Sequence, residues 1–331
     1  MEAINRAFQL SEEGDNVTGS YINKEKIGLK DNEVRVQVKY SSVNYKDALA
    51  SEKSSRVVKS YPIIPGIDLS GVVTESKHPS FQSGDKVVAT GFGLGVSRDG
   101  GYQMDAVLPG DWLVSLPKDL SLKEAMVYGT AGFTAALSIE AILEKGIKPE
   151  DGKVLVTGAT GGVGSLAITM LKEKGFQIVA SSGKGDEITY LKELGASEVI
   201  SREDVLSDKN RMIDKSTYIA AVDPVGGNTL ASILSQISYQ GVVALSGLAG
   251  GTNVDTSVFP FILRGVSLVG IDSVQYPIEK RAYIWKQIET YAKNANLKTL
   301  TKEIDLTEIE EVFTKFKTEK VVGRYVVKAN E

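Results

Sequence analysis

The sequence predicts an α/β fold in two parts, a β-rich part followed by a doubly wound parallel sheet. Over roughly the first 120 residues, short alternating runs such as 34–39 and 86–89 are broken by turn residues such as Asp99-Gly-Gly. From about residue 121, apolar runs typical of buried strands alternate with segments of helical period. This alternation indicates a parallel sheet with helices on both faces, and 331 residues suit two domains.

The elements follow in order along the chain. Glycines are dense in the first part, as sharply bent small barrels require, and one short helix is predicted near 46–52. Ser121 and Glu124 form a capping-box pattern, and a long helix follows over 131–143. The predicted strands of the second part are 154–157, 177–180, 198–200, 218–222, 241–245 and 267–271, with helices over 163–174 and 187–194 between the first of them. A long helix is predicted from Pro277 toward residue 295, and the strand-like tail 323–328 is expected to return to the first part.

Composition excludes several classes of function. The net charge of −4 gives no basic surface for nucleic acid or an anionic membrane. The chain has no cysteine, which excludes disulfides, thiolate nucleophiles and cysteine-ligated metals. The N-terminal residues do not resemble a signal peptide, and no apolar run is long enough to predict a membrane span, so a cytoplasmic protein is expected.

A glycine cluster after the first strand of the second part predicts nucleotide binding. The run 154–157 is followed by Gly158, Gly161, Gly162 and Gly164 and then by an apolar-periodic helix. Such glycines allow a tight turn, and the helix N-terminus presents N–H groups to a phosphate. Position 159 is alanine where the Rossmann fingerprint has glycine, so the match is partial. The turn residues predicted to contact the cofactor are Thr160, Gly161, Gly162 and Val163.

The end of the next strand predicts which dinucleotide is bound. An NAD site would have an acidic residue here for the ribose hydroxyls. This chain has Ser181, Ser182, Gly183 and Lys184 instead, and Arg202 follows the third strand. Hydroxyls and cations attract a 2′-phosphate that a carboxylate would repel, so NADP(H) is predicted.

A short-chain dehydrogenase is the competing interpretation of the glycine turn. Its Tyr-x-x-x-Lys pair has one match here, Tyr276 to Lys280, but a proline lies inside it and it follows the last predicted strand. Such an enzyme would also begin at its glycine turn, whereas here about 150 residues precede it.

The whole chain resembles the medium-chain dehydrogenase/reductase superfamily. The resemblance is carried by SVNYKD at 42–47, PGIDLSG at 65–71, GTAGFTA at 129–135 and the glycine turn. Strings such as PFILRGV and GIDSV are similar to the zinc-free, quinone-oxidoreductase-like branch that includes bacterial acryloyl-CoA reductases. The resemblance implies a GroES-like catalytic domain at 1–123 and 275–331, a Rossmann domain at 124–274, NADPH and a homodimer. It further implies that Thr130, Leu248, Ile262 and Ser273 meet the nicotinamide half of the cofactor.

Zinc is not expected. Zinc-dependent relatives have Gly-His-Glu where this chain has Gly66-Ile67-Asp68, and isoleucine cannot ligate a metal. The single histidine, His78, cannot supply the protein ligands that catalytic zinc needs and is expected on a surface loop.

Without zinc, reduction of a polarised C=C bond is the favoured chemistry. It needs a hydride, hydrogen-bond donors for enolate charge and a proton for the α-carbon. Tyr45 is the candidate acid and cofactor contact, since a tyrosine phenol carries its proton at neutral pH, and Asn44 is expected to orient a carbonyl or the nicotinamide. Lys46 and Asp47 are expected to pair with each other. The predicted acceptor is an enoyl-CoA, with an enone or quinone as the alternative and a non-catalytic NADPH-binding protein as a further one.

Overall fold

The computed structural model describes residues 5–183, 187–206, 212–318 and 321–330. It divides into two compact units. The first unit comprises Met1–Thr130, Ser273–Ala292 and Leu300–Glu331, and the second comprises Ala131–Asp272 and Lys293–Thr299.

The first unit is built on β-strands, as its alternating pattern predicts. Its strands are β1 Asn5–Glu13, β2 Asn16–Lys24, β3 Glu33–Val43, β4 Asp68–Ser76, β5 Lys86–Thr90, β6 Asp105–Pro109, β7 Leu113–Ser115, β14 Thr301–Asp305 and β15 Arg324–Lys328. β1 and β2 form a hairpin, while the larger sheet has the order β14-β15-β3-β4-β5-β7, with β6 paired to β3. Helices α1 Tyr45–Ala50, α7 Ile278–Ala292 and α9 Ile309–Thr318 belong to this unit.

The C-terminal strand returns to the first unit. β15 lies antiparallel to β3, with Tyr325 opposite Val43 and Lys328 opposite Tyr40. The expected return of the tail is therefore confirmed, and it brings Arg324 beside the end of β3.

The second unit is a parallel sheet with the order β10-β9-β8-β11-β12-β13. The strands are β8 Lys153–Val156, β9 Gln177–Ser181, β10 Glu198–Ile200, β11 Tyr218–Asp223, β12 Ile237–Leu245 and β13 Ser267–Gly270. The helices within it are α3 Gly162–Glu173, α4 Ile188–Leu194, α5 Gly227–Gln236 and α6 Phe259–Arg264, with the short α8 Leu297–Leu300 at the unit boundary. The predicted strands are confirmed, although β12 begins at Ile237 rather than at 241. The order of strands reverses between β8 and β11, where open α/β sheets bind their ligands.

Helix α2, Leu122–Glu144, contains the boundary between the units. Its capping box is confirmed, because Glu124 N donates to Ser121 Oγ at 3.1 Å and Ser121 N donates to the Glu124 carboxylate at 2.9 Å. The helix is long and apolar enough to cross a membrane, but 89% of its most apolar window is buried inside the protein, as expected for a core helix.

Candidate active site

Tyr45 is the first residue of α1 and its side chain is exposed. Asn44 precedes it as the N-cap, in an extended conformation with φ −116° and ψ 156°. Asp47 accepts a hydrogen bond from Asn44 N at 2.9 Å, which fixes the start of the helix. With 55% of its surface exposed, Tyr45 offers its phenol outward while its backbone is held by buried neighbours.

The predicted Lys46–Asp47 pair is wrong. Asp47 is fully buried, and its Oδ1 accepts the amides of Gly66 at 3.1 Å and Ile67 at 2.9 Å. Burial and the neighbouring Asp68 raise the pKa of Asp47 to about 7, against the opposing effect of the donated hydrogen bonds. Asp47 is therefore hydrogen-bonded by backbone amides next to β4 and not by the side chain of Lys46.

Asp68 is the centre of a buried polar network that also contains Ser42, Asn44, Thr130 and Arg324. Its Oδ1 accepts Ser42 N at 2.9 Å and Ser42 Oγ at 2.8 Å. Its Oδ2 accepts Asn44 Nδ2 and the amide of Thr130, both at 2.9 Å. Each carboxylate oxygen is therefore satisfied by protein donors, as buried polar atoms require.

Arg324 closes this network from the C-terminal strand. Its guanidinium is buried and donates to Ser42 Oγ at 2.7 Å, Asn44 Oδ1 at 3.2 Å and the carbonyl of Val127 at 3.0 Å. Burial lowers the pKa of Arg324, and the charge of Asp68 opposes that shift. Because Asn44 Oδ1 faces Arg324 and Asn44 Nδ2 faces Asp68, both ends of this amide are engaged inside the protein.

The kink in α2 completes the same cluster. Gly129 has φ 50° and ψ −149°, and a Cβ there would lie 2.6 Å from Ser42 Oγ and 2.8 Å from Asp68 Oδ2. Only glycine fits this backbone and this space. The helix resumes at Thr130, whose amide bonds the Asp68 carboxylate, a favourable place for an anion.

No group of three or more histidine, cysteine, aspartate or glutamate residues that could hold a metal occurs within the described ranges. Ile67 is buried, and the Asp68 carboxylate is saturated by the donors above. His78, which follows β4, bonds Asp111 at 3.2 Å and lies against Gly110. The residues at these positions therefore do not fit catalytic zinc.

In the second unit, the glycine turn between β8 and α3 has the geometry of a phosphate cradle. Gly158 has φ 52°, and Gly161 is the N-cap of α3. A Cβ on Gly164 would lie 2.5 Å from the carbonyl oxygen of Gly158 and 2.8 Å from the Cα of Ala159. The first turn of α3 therefore requires a residue without a side chain at position 164. The first-turn amides have no partner within the helix and point out of its N-terminal end. These residues fit a dinucleotide phosphate.

Thr157 and Asp223 join the ends of β8 and β11, the point where strand order reverses. The threonine hydroxyl donates to the Asp223 carboxylate, which also accepts the amides of Val225 at 3.0 Å and Gly226 at 3.1 Å. Burial raises the pKa of Asp223. No sequence motif marks Asp223, since only the sheet topology brings it beside Thr157.

The residues after β9 bear on the predicted 2′-phosphate site. Ser181 and Ser182 are buried, and Ser182 N donates to the carbonyl of Ile200 at 3.1 Å. A Cβ on Gly183 would lie 2.7 Å from Arg202 Nε, so the Arg202 side chain passes directly over Gly183. Arg202 and the two serines thus lie together, whereas Lys184 lies outside the described residues.

The remaining predicted cofactor contacts are divided between the units. Thr160 is buried in the glycine turn, while Leu248 and Ile262 are 65% and 68% exposed, so neither side chain belongs to the core. Ser273 belongs to the first unit, where its carbonyl accepts Arg281 Nη2 at 3.2 Å.

Comparison with known proteins gives the family. Residues 30–118 match the family described as Alcohol dehydrogenase GroES-like domain, and 162–289 match the one described as Zinc-binding dehydrogenase. The putative quinone oxidoreductase YhfP of Bacillus subtilis is 49% identical over 99% of this chain and 100% of its own length. The probable acrylyl-CoA reductase AcuI of Escherichia coli is 40% identical over 98% of this chain and 100% of its own. The chain belongs to the zinc-free, quinone-oxidoreductase-like branch of the medium-chain dehydrogenase/reductase superfamily.

Solved structures agree with this membership. The crystal structure of YhfP with NAD bound has a TM-score of 0.96 at 48% identity, covering 99% of this chain and 100% of that one. The YhdH oxidoreductase of Salmonella enterica, in complex with NADP, has a TM-score of 0.94 at 40% identity, covering 98% and 100%. The predicted GroES-like and Rossmann-type fold is confirmed, and the short-chain alternative is wrong.

Proposed function

We propose that this protein is an NADPH-dependent reductase of activated C=C bonds, with an acryloyl-CoA-like enoyl thioester as its acceptor. The observation that carries the proposal is the full-length similarity to AcuI, together with an exposed Tyr45 beside a buried network of hydrogen-bonded side chains. Bound NADPH would supply the hydride that adds to the β-carbon of the thioester. The chain's own residues must then stabilise charge on the carbonyl oxygen and supply a proton to the α-carbon.

Tyr45 is the proposed hydrogen-bond donor and acid. Its phenol is exposed, whereas Asn44 beside it has both amide ends engaged by Asp68 and Arg324. We therefore assign Asn44 the task of holding the start of α1, and through it the position of Tyr45.

The NADP(H) preference is assigned to the loop after β9. Ser181, Ser182 and Gly183 with Arg202 offer hydroxyls and a guanidinium, and Lys184 adds a second cation in the sequence. The NAD in the YhfP crystal makes NADH the necessary comparison in every coenzyme assay. Thr160, Gly161, Gly162 and Val163 would hold the diphosphate, and Thr130, Leu248, Ile262 and Ser273 the nicotinamide end.

The decisive experiment follows NADPH absorbance with acryloyl-CoA, crotonyl-CoA, enones and quinones. We expect the highest kcat/KM with acryloyl-CoA. A quinone or enone preferred over every thioester would support the alternative that the name of YhfP suggests. Tight NADPH binding without turnover of any acceptor would instead support a non-catalytic role.

The Tyr45→Phe variant tests the assignment of the acid. Because general acid catalysis typically contributes about a hundredfold or more, we expect kcat to fall at least about tenfold with little change in KM for NADPH. Tyr239→Phe, which alters an exposed tyrosine of the second unit, is the matched control. Full activity of Tyr45→Phe would mean that water supplies the proton.

We also propose that the protein is a cytoplasmic homodimer, with 1–123 and 275–331 as the catalytic domain and 124–274 as the nucleotide-binding domain. The last strand of the parallel sheet, β13, exposes Leu268, and the preceding helix α6 exposes Leu263. Apolar side chains at a sheet edge suit a second copy of the chain. Analytical ultracentrifugation of the wild type and of Leu268→Lys tests this, since a dimer should become a monomer in the variant.

A further inference from the structure

The segment after α1 carries cations that other side chains leave unpaired. Arg56 and Lys59 are exposed, and no ion pair or side-chain hydrogen bond is made by either within the described part of the chain. We call these two residues the cationic loop. The acidic side chains closest to them in sequence are engaged elsewhere, with Asp47 buried and Glu52 3.9 Å from Lys317. In a chain with a net charge of −4, this loop offers uncompensated positive charge.

The cationic loop is held rigidly. Ser55 Oγ donates to the carbonyls of Leu49 at 2.6 Å and Glu52 at 2.7 Å, and Tyr61 Oη donates to that of Ala50 at 2.7 Å. Val58, between the two cations, is buried in a core cluster that includes residues of α1 and α9. The two charges are therefore presented from a fixed backbone, which lowers the entropy cost of binding a ligand.

Arg56 occupies a backbone conformation that favours glycine. It ends the 3₁₀ turn Lys53–Ser55 with φ 56° and ψ 19°, in the left-handed region. A side chain here costs about 1 kcal/mol relative to glycine. An exposed arginine at this position contributes nothing to core packing. What the residue contributes is the positive charge and the hydrogen-bond donors of its guanidinium.

We propose that the cationic loop binds the phosphate groups of the coenzyme A portion of the acyl thioester, an inference that rests on the proposed function. The loop follows α1, the short helix that begins with Tyr45 and whose six residues span about 9 Å. Coenzyme A carries a diphosphate and a 3′-phosphate at the end of a flexible pantetheine arm, so its anionic groups bind away from the reacting double bond. Guanidinium and ammonium groups are the usual partners of such phosphates.

The first test separates the phosphates from the reacting group. Acryloyl-pantetheine has the same thioester as acryloyl-CoA and lacks its phosphates. For Arg56→Gly and for Lys59→Ala, we expect the ratio of kcat/KM for acryloyl-CoA to that for acryloyl-pantetheine to fall about tenfold, as loss of a charge-assisted phosphate contact predicts. Lys86→Ala and Lys118→Ala, which also remove exposed lysines of the first unit, should leave the ratio unchanged.

Arg56→Gly adds a readout that a structural role would not produce. Because glycine suits φ 56° better than arginine, the melting temperature should stay the same or rise while the ratio falls. Increasing salt should lower kcat/KM for acryloyl-CoA in the wild type more steeply than in a variant that carries both Arg56→Gly and Lys59→Ala, because exposed charges are screened.

The outcomes distinguish this inference from the proposed function. An unchanged ratio in both variants overturns the phosphate site and leaves the reductase function standing. A change confined to KM for NADPH also overturns it, because the loop would then serve the cofactor. If neither thioester is reduced by the wild type, the proposed function fails and the inference fails with it.

Discussion

The polar network of the first unit and the glycine turn of the second build functional geometry in different ways. The network holds Asp68 and Arg324 through side chains that are far apart in sequence, from Ser42 to the last strand. The turn uses consecutive backbone groups, and Gly164 works by having no side chain. Interrupting a long-range side-chain network should cost much stability, and such a network is hard to recognise in a sequence because its members are far apart. A local backbone turn can be recognised from the spacing of its glycines.

Removing Arg324 should give the largest loss of stability, and it tests whether the polar network stabilises the folded protein. Arg324→Met leaves Asp68 buried without its cation and removes a donor from Asn44 and Ser42. We expect the free energy of unfolding to fall by about 3 kcal/mol or more, as for other broken buried charge pairs. Urea denaturation measures this, with Lys328→Met on the same strand as the control. A loss below about 1 kcal/mol would mean that the network is not what holds this part of the sheet.

The corresponding change in the turn should act on binding rather than on folding. In Gly164→Ala the new Cβ meets the Gly158 carbonyl at 2.5 Å, so the turn or the helix must shift. We expect the dissociation constant for NADPH to rise about a hundredfold, equivalent to about 2.7 kcal/mol. Gly270→Ala is the control, because a Cβ at Gly270 would have nothing within 4 Å. Fluorescence titration with NADPH measures both, and wild-type affinity in Gly164→Ala would show that the turn is more plastic than its packing implies.

The same contrast explains what could be predicted from the sequence. The strands of the parallel sheet and the glycine turn follow from local apolar runs and glycine spacing, and the tail was expected to return to the first part. The sequence does not mark Arg324 as a site residue, because a single arginine in a strand-like tail belongs to no motif. No helix is predicted over Ile309–Thr318, although Ile309, Val312 and Phe313 form its buried face.

The wrong pairing of Lys46 with Asp47 has the same physical origin. Adjacent opposite charges suggest a local pair, but Asp47 is withdrawn from water by neighbours that the chain supplies about 20 residues later. Because Asp47 is buried, backbone amides become its hydrogen-bond partners. Burial of a residue cannot be inferred from its immediate neighbours in the sequence.

A smaller effect is expected where side chains supplement the backbone cradle. Arg202→Ala removes the guanidinium that lies over Gly183. We expect the dissociation constant for NADPH to rise about tenfold, with that for NADH unchanged, because only NADPH carries the 2′-phosphate. Lys174→Ala, after α3, is a control of equal charge. Lys184→Glu should likewise raise the dissociation constant for NADPH more than that for NADH. Equal losses for both coenzymes in Arg202→Ala would remove this arginine from the phosphate site.

The smallest expected effect is a pH dependence of stability that comes from Asp47, which lies beside the buried network. The pKa of Asp47 is about 7 in the folded protein and about 4 in an unfolded chain. The folded state therefore holds more protons than the unfolded state between these values. Stability that Asp47 contributes is fully present below pH 4 and is lost as pH rises from 4 through 7, and about 1 kcal/mol of this loss falls between pH 6 and pH 8.

Urea unfolding at several pH values across this window tests that slope. Asp47→Asn cannot ionise, so its unfolding free energy should decline less steeply with pH than that of the wild type, whatever its absolute stability. Asp85→Asn, which removes a carboxylate outside the network, is the control. Its unfolding free energy should change with pH as steeply as that of the wild type. If Asp47→Asn and the wild type have parallel profiles, Asp47 is ionised throughout the range. The three backbone amides would then outweigh burial and the charge of Asp68, and the network would hold two full negative charges against Arg324.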